Sequence, residues 1–230
     1  MTPYPTILVD GAPRHLACLP PREDFGGLPK FAAANPTIPR ANWRETDLSP
    51  LGVPVLDQGQ HGSCVGHGST SAFWFAYLTA GGTVPDGGFS PTSLYAQING
   101  GWDRGAVVSD AMDALIKTGV GLMADVPESV IYDRQIPASA KAKYGRFRVA
   151  DAFHCSTFDE IGSALQLGFP VSFGIMLPGG FNNLNDEGVA GLGWGILGGH
   201  CMCAYGTTKL KSGAWAIRVR NSWGARWGNT

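Results

Sequence analysis

Three residue types, widely separated along the 230-residue chain, have the makings of a nucleophilic site: Cys64, His200 and Asn221. A thiol attacks a carbonyl well only as the thiolate, so it needs an imidazole nearby and gains from the dipole and free amides of a helix N-terminus. Cys64 has that local setting. Downstream, Ala72, Phe73, Ala76, Tyr77 and Ala80 recur at three- and four-residue spacings and Gly81-Gly82 follow, which predicts a buried helix with Cys64 at its start. Gln58, across a glycine-bearing loop, would supply a side-chain amide to the oxyanion that forms when a carbonyl is attacked. His200 opens one predicted strand and Asn221 closes a later one. A hairpin between them would let the asparagine carbonyl accept one ring N–H of the histidine and turn the other nitrogen toward the sulfur.

The elements that must position these groups change type along the chain. Residues 1–37 are proline-rich and read as an extended arm, with a short Thr6–Val9 run suited to pairing with an exposed sheet edge and the rest suited to lying in a cleft or trailing as a tail. The main domain spans 38–230. Ser90-Pro91 opens a second helix that ends by Asn99, a third runs from Ser109 to Lys117, and Thr157-x-x-Glu160 is a capping box for the last. Pro170–Met176, Cys201–Tyr205 and Ala214–Arg220 then read as strands. Helices first and strands later predict an α+β protein with segregated lobes.

At this point the motifs carry a resemblance. Gln58-Gly59-Gln60-His61-Gly62-Ser63-Cys64, Gly199-His200 followed by an apolar strand, and Asn221-Ser222-Trp223-Gly224 resemble, in order and spacing, the cysteine, histidine and asparagine blocks of the papain-like (C1 family) cysteine peptidases. The likeness extends from about Pro39 to Gly228. It implies a two-lobe fold, helical on the left and β-rich on the right, with the cleft between. It also implies Cys64 as nucleophile, His200 as base, Asn221 as its orienter, Gln58 in the oxyanion hole, and a thioester intermediate in the hydrolysis of peptide or protein substrates, with no cofactor. Gly100, Gly101 and Gly105 lie where relatives bind extended peptide backbone, with ordinary turns as the alternative, and Gly199 borders the same cleft. Trp223 reads either as a wall over the Asn221–His200 bond or as a core aromatic.

The chain departs from the family in four places. Val65-Gly66-His67-Gly68 replaces the usual tryptophan after the nucleophile and predicts a looser first helical turn; His61 stands where a disulfide cysteine is usual; the chain stops at Asn229-Thr230 where relatives continue; and the arm is shorter than many prosegments. Acyl transfer or amidase chemistry at the same site, and a non-catalytic binding role on the same scaffold, are the competing functions.

Several tempting features read as structural. His61 and His67 are expected on a loop and a helix surface, Asp57, Asp103 and Asp110 as solvated loop or cap residues, and Cys201 and Cys203 as buried thiols pointing away from His200. No metal-ligand set emerges. With 15% charged residues and a net charge of -1 the chain does not suit nucleic acid, and no window is apolar for the ~18 residues of a membrane span. Five cysteines without a framework spacing, and no signal-peptide pattern, favour an intracellular setting.

Overall fold

The computed structural model describes residues 5–228. In chain order its elements are β1 (Thr6–Val9), β2 (Ala12–His15), α1 (Phe31–Ala34), β3 (Thr46–Asp47), α2 (Cys64–Thr79), α3 (Pro91–Ile98), α4 (Val108–Lys117), α5 (Ala138–Lys141), α6 (Phe158–Gln166), β4 (Val171–Pro178), β5 (Ile196–Lys209) and β6 (Trp215–Arg220). The helix signals hold. Ser90 Oγ accepts from the Ser93 amide to cap α3, Thr157 Oγ1 does the same from Glu160 for α6, and Gly81 beyond α2 takes a left-handed φ of 82°.

A long strand, β5, organises the sheet: β4, β3 and β6 each pair with it antiparallel. It begins at Ile196, four residues before His200, so the histidine sits inside the strand instead of opening it. Alternation along β5 divides two cores. Cys201 and Cys203 face α2 in a cluster with Cys64, Val65, Phe73 and Phe75, whereas Met202 faces Trp223, Leu177 and Phe181 on the other side. The sheet is therefore covered by α2 on one face.

The opposite face is covered by the arm. Ile7, Val9 and Leu16 are buried in the Met202–Trp223 cluster. Thr6–Val9 does pair, but with Ala12–His15 of the arm itself and not with an edge of the main sheet. The reason is local: Asp10 and Gly11 adopt φ of 50° and 75°, the backbone that a tight two-residue hairpin demands and that an Asp-Gly pair accepts. A hairpin satisfies both strands' inner polar groups without consuming an edge of the main sheet.

Candidate active site

Cys64 is the first residue of α2, and its side chain is fully buried. Burial raises its thiol above the ordinary range, while N–H groups of Ala17, Cys201, Val65 and Cys64 itself act against that rise. The first turn is regular, correcting the expectation of a looser one: every residue from Cys64 to Phe75 is buried. Two glycines explain the unusual Val-Gly-His-Gly sequence. A Cβ on Gly66 would lie 2.6 Å from the Pro91 carbonyl oxygen, and one on Gly68 would lie 2.9 Å from Cys201 Sγ, so only glycine lets α2 approach α3 and β5 this closely. His67 between them is buried, not on the surface as its position suggested. Its Nδ1–H donates to the Ser63 carbonyl at 2.9 Å, and burial pushes it down to about 4.

His200 lies at β5 and Asn221 directly after β6, joined by His200 Nε2 to Asn221 Oδ1 at 2.7 Å. The Ser222 amide also donates to Asn221 Oδ1 at 2.7 Å, which fixes that atom as the oxygen. An oxygen there can only accept, so Nε2 carries the hydrogen and His200 Nδ1 is left with a bare lone pair. That nitrogen is buried and has no hydrogen-bond partner among the described residues. Trp223 stacks on the imidazole with centroids 4.7 Å apart and is itself buried, so it covers the ring and belongs to the core at once. Burial depresses His200 to about 4, with the Asn221 bond opposing. Burial thus favours the neutral form of each group, the thiol for Cys64 and the uncharged imidazole for His200.

Gln58 is also buried, and its amide orientation is settled by its partners. Oε1 accepts from Ser222 Oγ at 2.8 Å, while Nε2 donates to the carbonyl oxygens of His15 and His61, both at 3.0 Å. Ser222 is a residue that the sequence reading passed over. It follows Asn221 and orients both polar side chains of the site, one with its amide and one with its hydroxyl. A serine next to the orienting asparagine was the available signal.

The arm occupies the space in front of these groups. Cys18 N–H donates to the Gly199 carbonyl at 2.9 Å, Leu19 N–H to Ala106 at 2.9 Å, and Ala106 N–H to Ala17 at 3.2 Å, a parallel bridge that places the Ala17 amide against the Cys64 sulfur. Glycine is needed at both walls. A Cβ on Gly105 would fall 2.0 Å from the Ala17 carbonyl oxygen and one on Gly199 would fall 2.1 Å from that of Cys18. Arg14 anchors the arm from behind through Asp57, 3.0 Å away. Gly100 and Gly101 do not join this contact. They form the turn after α3, where the Gly101 amide donates to Asn99 Oδ1, so the strip that pairs with extended chain is Gly105–Ala106.

Beside the strip, an apolar cavity of about 500 Å³ opens at Cys18 and Gly199 and runs between β4 and α4, past Val108, Met112 and Ile175. All five cysteines are free. Among the described residues no cluster of acidic, cysteine and histidine side chains could hold a metal ion, and no helix is long and apolar enough to cross a membrane.

No family model matches the chain. It is similar to solved structures of xylellain, a cysteine protease from Xylella fastidiosa (20% identity, 93% of this chain and 82% of that one, TM-score 0.60), and of procathepsin L 3 from Tenebrio molitor larval midgut (16%, 87% and 64%, TM-score 0.63). It is also similar to proCathepsin B from Trypanosoma congolense (15% identity, 92% and 77%, TM-score 0.62). Among curated proteins it matches an uncharacterized peptidase C1-like protein of Acanthamoeba polyphaga mimivirus at 24% identity, the match spanning 78% of this chain and 63% of that protein's length. The fold is therefore the two-lobed α+β fold of the papain-like cysteine proteases.

Proposed function

We propose that this papain-like chain is a cysteine endopeptidase, described here in a latent form in which its own arm fills the cleft. The observation that carries the reading is the His200 ring. Asn221, held by the Ser222 amide, leaves Nδ1 as a buried lone pair on β5 next to Gly199, and the next amide, that of Cys201, reaches the Cys64 thiol.

In the reaction, His200 Nδ1 takes the Cys64 proton as the sulfur attacks the scissile carbonyl, and the Gln58 amide with the Cys64 N–H meets the oxyanion. The imidazolium returns the proton to the leaving amine as the C–N bond breaks. Water, deprotonated by the same nitrogen, then hydrolyses the thioester and frees the thiol. The His15 carbonyl already occupies the Gln58 donor, and Gly105–Ala106 already pairs with extended backbone. Both support a peptide as substrate. The apolar cavity beside them supports a bulky apolar side chain near the cleaved bond.

The arm cannot be cut as it lies. Its Ala17 N–H faces the sulfur where a substrate must present a carbonyl carbon. The test is hydrolysis of a fluorogenic peptide library by the full chain and by Cys64→Ser, with an added amine in parallel. Turnover lost in Cys64→Ser supports the peptidase. Retained turnover in that variant overturns the assignment, and amine adducts exceeding hydrolysed product would make the site an acyltransferase instead.

A further inference from the structure

Asp103 stands in the loop between α3 and the Gly105–Ala106 strip, and its surroundings are not those of a solvated loop residue. The Gly62 amide donates to its Oδ1 at 2.9 Å and the Tyr95 hydroxyl to the same oxygen at 2.6 Å, while His61 Nδ1 approaches Oδ2 at 3.4 Å. Tyr95 is fully buried on α3, and its hydroxyl oxygen accepts in turn from the Gly105 amide at 3.1 Å. A continuous chain of hydrogen bonds thus runs from the loop preceding Cys64, through one carboxylate and one phenol, to the strip. The strip's next residue, Ala106, is the one that pairs with extended backbone.

We propose that Asp103, with Tyr95 and His61, is a positioning clamp that sets the distance between the peptide-binding strip and the nucleophile loop. The inference rests on the peptidase reading for its functional consequence. The clamp joins two segments that no disulfide connects, since all five cysteines are free. Burial alone would raise the Asp103 carboxyl, but the bonds from His61, Tyr95 and Gly62 outweigh it and hold the carboxyl below the ordinary range. The bond to Asp103 conversely raises His61. Other titratable groups near His61 are His67 on α2 and, around a small cavity, Asp57 and Glu128. Because His61 is raised by its partner, the His61 arm of the clamp is present at acid pH and is lost as pH rises through the His61 value.

The experiment compares the full wild-type chain with Asp103→Asn and Tyr95→Phe by amide hydrogen exchange, by hydrolysis kinetics on a peptide long enough to reach the strip, and by alkylation of Cys64 with iodoacetamide, which does not reach it. Expected is exchange at Gly105 and Ala106 faster by about 10-fold with α2 unchanged, and KM raised by about 10-fold with kcat and alkylation within about 3-fold. The wild-type rise of KM with pH should also flatten in Asp103→Asn. Unchanged exchange at the strip overturns the clamp, and so does a uniform loss in which α2 exchange, kcat and alkylation collapse together. If neither the wild-type chain nor the arm-loosened Arg14→Ala variant hydrolyses peptide, the peptidase reading fails alone, and the exchange data still decide the clamp.

Discussion

Gly199→Ala should unlatch the arm while leaving the arm's own sequence and every catalytic side chain unchanged. The added Cβ would sit 2.1 Å from the Cys18 carbonyl oxygen, against the ~3.3 Å at which a carbon and an oxygen meet without strain. The obstructing atom is backbone, so Cys18 must retreat by about 1 Å, which is enough to break three hydrogen bonds: Cys18 to Gly199, Leu19 to Ala106 and Ala106 to Ala17. At a net ~0.5–1.5 kcal/mol each, their loss amounts to about 1.5–4.5 kcal/mol, or roughly a 10- to 2000-fold larger open population. Opening also returns water to Cys64 and so removes the burial that raises its thiol. The assay is the pseudo-first-order rate of iodoacetamide addition at Cys64, followed by peptide mapping so that Cys18 is scored separately. Peptide hydrolysis is the wrong readout, because substrate must pass the same wall. An alkylation rate within about twofold of wild type, in a variant with unchanged circular dichroism, would refute the claim that this contact closes the site.

Ser222→Ala removes the hydroxyl that orients the Gln58 amide, and it should lower kcat by about 10-fold with KM little changed; a change confined to KM would place Gln58 in ground-state binding. Arg14→Ala breaks the anchor to a half-exposed Asp57, so its effect on Cys64 alkylation should be smaller, about 3- to 10-fold faster, and should fade in wild type at high salt. Burial holds His200 and His67 both at about 4, below the 6.5 of a free imidazole. Between those limits the unfolded chain binds more protons than the folded one, so stability should fall on acidification by up to about 1.4 kcal/mol per pH unit for each histidine. A melting temperature flat from pH 7 to 4.5 would contradict that burial.

Much of this site was legible because its chemistry is spelled locally. A cysteine opening an apolar-periodic helix, a histidine on one strand and an asparagine at the end of the next follow from spacing and period, and Ser90-Pro91 and Thr157-x-x-Glu160 each cap the helix they announce. What escaped depends on contacts between distant segments. His67 looked like a surface histidine because no carboxylate or cysteine cluster near it in sequence completes a ligand set, whereas Gly66 and Gly68 let α3 and β5 close against α2 on either side of it. Asp103 looked solvated because nothing in its neighbourhood in sequence reveals Gly62 and Tyr95. The Thr6–Val9 run was read as suited to an exposed sheet edge, although Asp10-Gly11 immediately after it is a hairpin signal within reach of local reasoning. Gly100 and Gly101 were grouped with Gly105 by the family resemblance, but of the three only Gly105 lies against the arm.

The most direct test of the account is mass spectrometry after treating wild type and Arg14→Ala with a peptidyl epoxide directed at thiols. The account predicts one adduct per chain, on Cys64 and on none of Cys18, Cys155, Cys201 or Cys203, formed slowly in wild type and faster in Arg14→Ala. It further predicts that the adduct disappears in His200→Ala, because burial without the imidazole leaves the thiol protonated. Labelling that favours another cysteine, or that proceeds on Cys64 at the same rate without His200, would contradict a Cys64–His200 nucleophilic pair masked by the arm.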